Sequence, residues 1–195
     1  NANVNKIGSG TLNLQGVNTF AGDIRVSSGT LGVANDANLG AATNKVILNN
    51  ATLMANLASV VLDHNIDIMG AATFDTAENA LRLNAQLAGG SLVKTGTGIL
   101  ELVNANNTQA KTTVNQGKIR VAQNANLGLL DAIVELNGGI FESMATQSYE
   151  RNFSLGTNNG TFNVLTDDTV TLTKSIDGLG NLNKTGTGTL VLTGT

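Results

Sequence analysis

The stretch Lys94–Leu102 (KTGTGILEL) returns as Lys184–Leu192 (KTGTGTLVL), matching at seven of nine positions. Val26–Gly40 (VSSGTLGVANDANLG) returns as Val114–Gly128 (VNQGKIRVAQNANLG), matching at eight of fifteen. Val46–Asn49 (VILN) returns as Val134–Asn137 (VELN), and Thr11–Leu14 (TLNL) as Ile99–Leu102 (ILEL). The offsets are 88 or 90 residues throughout. A chain built from long copies of itself folds by stacking similar turns rather than around a single unrepeated core.

A shorter period runs inside each copy. The inward candidates are Leu12, Leu31, Leu53, Phe74, Leu100, Ile119, Phe141, Phe162 and Leu190, at spacings of 19, 22, 21, 26, 19, 22, 21 and 28. Each sits in a short alternating stretch that suits a half-buried strand. A second column precedes it: Val26, Leu48, Ile68, Leu92, Val114, Leu136, Leu155 and Leu182. Short turns containing Gly29, Gly96, Gly98, Gly117 and Gly138 join the two columns, and glycine permits the positive φ of a sharp corner. Hairpin strands of a sandwich would recur at about half this interval. The expected fold is therefore all-β: a parallel β-helix, or β-solenoid, with about 22 residues per rung and eight or nine rungs, roughly 40 Å long. The crossover rule favours right-handed coiling. The two longer intervals, holding residues 80–90 and 169–180, read as loops or extra strands leaving the rod.

Composition narrows the function. Only 3% of residues are aromatic and 13% are charged, with a net charge of −3, and no basic stripe exists for nucleic acid. There are no cysteines and no prolines, so a fold outside the cell must hold itself by regular hydrogen bonding. No apolar run approaches the 18 residues or so of a membrane helix. The chain opens without a signal-peptide pattern and starts and stops inside repeats, so it reads as a fragment of a longer protein. Strand edges left open at such ends invite self-association.

No residue is assigned a catalytic, cofactor-binding or metal-binding role. His64 is the single histidine, and its repeat equivalents are Arg151 or Asn152. A position that accepts all three reads as solvated, and His64→Ala is expected to cost no more than about 0.5 kcal/mol. Asp63 and Asp67, four strand residues apart, lie about 13 Å from each other, too far for paired glycosidase carboxylates. Asp167–Asp168 reads as an acidic turn. The glycine-threonine runs after Lys94 and Lys184 lack the helix of a phosphate loop and read as corners. Asp177–Asn181 (DGLGN) occurs once and lacks the glycine array of a calcium-binding repeat. A threonine column suited to ice binding, Thr11, Thr30, Thr52 and Thr73, is expected to fail at Ile99. Glu101, Arg120 and Glu142 should stack outward on three neighbouring rungs as an exposed ladder of alternating charge, with Arg120 between the glutamates.

Lys6–Leu31 (KIGSGTLNLQGVNTFAGDIRVSSGTL) resembles the autotransporter-associated β-strand repeat, and Lys94–Ile119 and Lys184–Thr195 repeat it with variation. Ala34–Leu53 is similar to the segment that often follows that repeat. Phe20 stands where the family often has Tyr, and Asn106-Asn107-Thr108 replaces the Asn-Thr-aromatic run. The resemblance implies a secreted passenger of a Gram-negative type V secretion protein, displayed at the cell surface and anchored through a C-terminal outer-membrane β-barrel. The Asn- and Lys-leaning usage suggests a low-GC organism such as a rickettsia. The expected organisation is one solenoid over 1–195, with units at 6–93, 94–183 and 184–195. The expected role is a non-enzymatic stalk or adhesin presenting binding loops to a protein or glycan on host or neighbouring cells. A β-helical carbohydrate-active enzyme or polysaccharide-binding module is the alternative, and would need clustered carboxylates along one groove.

Overall fold

A computed structural model describes residues 2–194; Asn1 and Thr195 lie outside the described residues. The chain is a β-solenoid of about nine turns and about 21 residues per turn. Each turn lays down short strands on successive sides of the rod, and every strand pairing is parallel and links one turn to the next. Strand residues alternate between core and surface, as in Thr52–Ala55 and Ile99–Leu102, so the leucines of a Leu-x-Leu stretch both point inward. Corners follow because Gly29, Gly96 and Gly117 hold φ of 75°, 75° and 63°, and Asn50 takes φ 49° at a corner without glycine.

Three sides can be traced by register. On the first, Val4, Ile24, Val46, Ile66 and Leu87 stack in order. On the second, Leu12, Leu31, Leu53, Phe74, Lys94, Val114, Leu136 and Leu155 do so. On the third, Val60, Leu81, Leu100, Ile119, Phe141, Phe162 and Lys184 do so. The strands Ile66–Asp75 and Leu87–Thr95 continue round a corner, bending at Gly70 and Gly89 (both φ 85°), and join the first two sides into one 12-stranded sheet. The third side is a seven-stranded sheet. A three-stranded sheet of Gln147–Tyr149, Thr169–Leu172 and Thr189–Leu192 continues the first side near the end of the rod.

This register corrects the single inward column expected from the sequence. Leu12 to Phe74 stack together, and Leu100 to Phe162 stack together, but on different sides. Phe74 is followed by Lys94 and not Leu100, while Leu190 lies beside Val170. In the second expected column, Leu92 lies beside Ala72 and Thr112, and Leu182 beside Gly160. Residues 80–90 and 169–180 do not leave the rod: Ala80–Leu83 and Thr169–Leu172 are ordinary rung strands. The cause is arithmetic. Four turns from Val4 reach Leu87, whereas Leu92 is the residue 88 positions after Val4. One repeat is thus four turns plus one side. Lys6 stands on the first side beside Val26, Lys94 on the second beside Val114, and Lys184 on the third beside Phe162. Equivalent residues never stack on each other; they move round the rod.

The threonine column ends after four rungs, as expected, but at a different residue. After Thr73 comes Val93 and then Thr113, not Ile99, and the column gives way to Glu135. The core is aliphatic for most of its length. Four rings then meet from three sides: Phe141 lies 5.0 Å from Tyr149, 5.2 Å from Phe153 and 5.6 Å from Phe162, centroid to centroid. All four are buried. Replacing Phe162 by Ala should cost about 3–5 kcal/mol, since the neighbouring rings cannot close on the void. Urea denaturation should show this loss; a cost below about 1 kcal/mol would mean that the rings are not packed as described.

Candidate interaction surface

The outward side chains of the third side carry most of the organised charge. Arg82 lies beside Glu101, Glu101 beside Arg120, Arg120 beside Glu142, and Glu142 beside Asn163. The sequence expectation that Arg120 sits between the two glutamates on one face is borne out. Its Nε donates to Oε1 of Glu142 at 2.6 Å, and its Nη1 lies 3.8 Å from Oε2 of Glu101. Arg82 pairs with Glu101 from the other direction.

The ladder is less exposed than expected. Glu142 is 1% accessible, covered by Lys118, Arg120 and Asn163, all of which hydrogen-bond its carboxylate. Burial alone would raise this carboxyl's pKa; the donated hydrogen bonds from Lys118, Asn163 and Arg120 outweigh it and hold the group below its ordinary value.

Buried cations hold the corners. Lys94 is fully buried, and its Nζ donates to the carbonyls of Thr95 (2.7 Å), Gly96 (2.7 Å) and Gln116 (3.2 Å). Lys6 makes the same three bonds to Ile7, Gly8 and Ser28, and Lys184 donates to Thr185 and Gly186. The lysine before each glycine-threonine run is therefore a clamp on the corner that follows it. Burial pushes the Lys94 ammonium down to about 8, partly offset by Asp75. The repeated lysine was visible in the sequence; its clamping role was not assigned there.

A second kind of nitrogen-bearing side chain holds the two 3-10 turns, Asp36–Leu39 and Asn124–Leu127. Here the sequence expectation fails: His64 is 2% accessible, not solvated. Its Nδ1 lies 2.7 Å from Oδ1 of Asp36 and its Nε2 3.0 Å from the carbonyl of Ala41. Its counterpart Arg151 is 1% accessible and donates to Oδ1 and the carbonyl of Asn124 and to the carbonyls of Leu127, Leu129 and Ala132. The substitution of one such side chain for another, one repeat apart, was the signal that the position is a socket. Burial lowers the Arg151 pKa to about 10, which leaves it charged at neutral pH.

Among the described residues, the acidic side chains weighed from the sequence do not assemble an acid–base pair. Asp63 accepts a hydrogen bond from Asn84 at 2.9 Å, and Asp67 pairs with Lys45 at 3.1 Å. Asp167 adopts φ 66° in a turn, and Asp168 accepts from Thr146 at 3.3 Å. A shallow groove of about 310 Å³ is lined by Glu135, Asn137, Ser154, Leu155 and Leu179 among others, and Glu135 is engaged by Lys111 at 2.7 Å. The exposed apolar side chains include Leu129, Leu130 and Ile133, clustered in sequence after the second 3-10 turn.

Comparison with known proteins agrees with the repeat seen in the sequence. Residues 4–33, 92–121 and 182–195 match the passenger-associated-transport-repeat family. The chain is similar to the adhesin BmaC autotransporter of Brucella suis biovar 1 (strain 1330), with 38% identity over 105 residues. That match covers 53% of this chain and 3% of the relative's length. No solved structure matches the chain. The three matched segments are similar to passenger-associated-transport repeats, in line with the resemblance.

Two outcomes follow from the buried ion pairs. The Glu142 carboxyl is held below its ordinary value near 4.3, so its contribution is fully present above that pH and is lost as pH falls through the folded value. Glu142→Gln should lower stability at neutral pH by about 1.5–3 kcal/mol. It should also remove part of the acid-side decline in the urea midpoint; an unchanged acid limb would show that Glu142 carries no linkage. His64→Ala removes two hydrogen bonds from a buried socket, although Asp36 keeps its backbone donors and the Ala41 carbonyl keeps the Asn44 N–H, and it should cost about 1–3 kcal/mol, against the 0.5 kcal/mol or so of an exposed site. Thermal or urea unfolding separates the two values.

Proposed function

We propose that this chain is a rigid shaft segment of a Gram-negative surface passenger, one that takes part in adhesion by holding binding surfaces at a fixed distance and orientation from the cell. The observation that carries this reading is the stacking of about nine turns through in-register parallel strands, with a continuous apolar core. Such a stack resists bending because each backbone group bonds to the turns on either side, and it spans about 43 Å at 4.8 Å per turn. The similarity to an autotransporter adhesin supports the adhesive context. A protein or glycan on a host or neighbouring cell is the target class.

The one-side advance per repeat adds a specific feature. Equivalent corners, such as those after Lys6, Lys94 and Lys184, face three directions rather than one. A shaft of this kind offers its repeat-borne loops all round its circumference, and a target met from any side encounters one of them. The ladder and the clamped corners hold register.

Rigid spacing is testable by replacement. In cells displaying the parent passenger, exchanging this segment for a flexible Gly/Ser linker with the same number of residues should abolish or strongly reduce adhesion to target cells. Exchanging it for an unrelated β-solenoid of equal length should preserve reach but lose any contacts made by its own loops. Full adhesion with the flexible linker would overturn the shaft role.

A further inference from the structure

His64 and Arg151 occupy equivalent sockets, but an imidazole can give up its second proton where a guanidinium does not. Asp36 and Asn124 are 88 residues apart, as are Ala41 and Leu129, and each pair plays the same part in its socket. In the first socket, Oδ1 of Asp36 also accepts the backbone N–H of Asp63 at 2.8 Å and of His64 at 3.2 Å. An oxygen receiving those bonds is an acceptor toward the ring as well. A backbone carbonyl, such as that of Ala41, can only accept. Both ring nitrogens of His64 therefore face acceptors, and only the doubly protonated imidazolium donates from both.

The surrounding charges do not supply a substitute. Asp63 is engaged by Asn84, Asp67 by Lys45, and Arg82 by Glu101, while Asp23 accepts from Arg25 and the Lys45 backbone. Asp36 is the carboxylate that the ring meets.

We propose that His64 is a proton-dependent pin for the loop over residues 36–44. With both nitrogens protonated, the ring ties Asp36 at the start of the 3-10 turn to Ala41 just beyond its end. When the Nε2 proton leaves, the nitrogen's lone pair opposes the Ala41 carbonyl, and that end of the loop loses its tie to the ring while keeping the Ala41 N–H bond to Phe20 and the Asn44 bonds to Ala41, Phe20 and Leu39. Gly40, at φ 84°, is the adjacent residue through which the untied end can move. Arg151 keeps the corresponding loop, 124–132, pinned at the same pH, so the two repeats differ in response while sharing one architecture. The effect is a side of the shaft that loosens as the medium becomes alkaline and tightens as it acidifies.

The molecule carries its own control. Amide hydrogen exchange of 36–44 and of 124–132 is followed by mass spectrometry in the intact chain across the range in which imidazoles titrate, about pH 6 to about pH 8.5. After correction for intrinsic exchange rates, protection of 36–44 should fall about tenfold relative to 124–132, the scale of one charge-assisted hydrogen bond. His64→Arg, which copies the second repeat, should remove the difference, and Arg151→His should transfer it to 124–132. Parallel protection of both loops across this range in the unsubstituted chain would overturn the proposal, whatever the variants do.

Discussion

Each turn of this rod is held by the turns before and after it, through parallel backbone hydrogen bonds that the strands supply without help from side chains. Corners are where that supply fails. The chain turns from one side to the next there, and several carbonyls converge on one point. Tethered cations answer this shortage. The ammonium of Lys94 gathers three carbonyls from two successive turns, and the guanidinium of Arg151 gathers four carbonyls and one side-chain oxygen. A buried unpaired carbonyl or cation is costly, and each satisfies the other. In a chain without cysteine, covalent cross-links play no part in holding these corners.

The advance of one side per repeat has a packing consequence. In a solenoid whose repeat equals a whole number of turns, identical residues sit above one another and errors of register are cheap. Here the neighbour of Phe74 is Lys94, and the neighbour of Val114 is again Lys94. A slip by one turn would move a lysine clamp away from its glycine corner and an aromatic ring into an aliphatic layer. The mismatch between repeat length and turn length therefore fixes register, and the ladder of Arg82, Glu101, Arg120 and Glu142 reinforces it with charges that attract in one alignment and repel when displaced.

Much of this was legible in the sequence. Alternation gave the strands, glycine gave the corners, and the spacing of Glu101, Arg120 and Glu142 gave their stacking. What the sequence concealed was which strand follows which across residues 75–100. An 88-residue repeat invites the assumption that equivalent residues share a side, and Leu12 and Leu100 look alike. The long strands Ile66–Asp75 and Leu87–Thr95 show why that fails: pairing continues through the corner at Gly70 and Gly89, so no loop marks the boundary between sides. Counting along the turns, rather than along the repeat, assigns every strand. Similarly, His64 reads as a surface residue when its substitutes are compared only by size and polarity. It reads as buried once the partner position is compared too, because Asp36 becomes Asn124 where His64 becomes Arg151.

That paired exchange bears on what these sockets select for. A permanent guanidinium reaches five acceptors and needs no carboxylate, so a neutral Asn124 serves beside it. A smaller imidazole reaches two, and the carboxylate of Asp36 supplies by charge what the ring lacks in donors. The two solutions close the same loop with different dependence on protons. A shaft assembled from such repeats can be uniform in shape while its sides differ in local stability, because each socket faces a different direction and carries its own cation. Local stability on this shaft is thus decided at the sockets, one side chain at a time, and the shared backbone stack carries those differences round the rod without changing its shape.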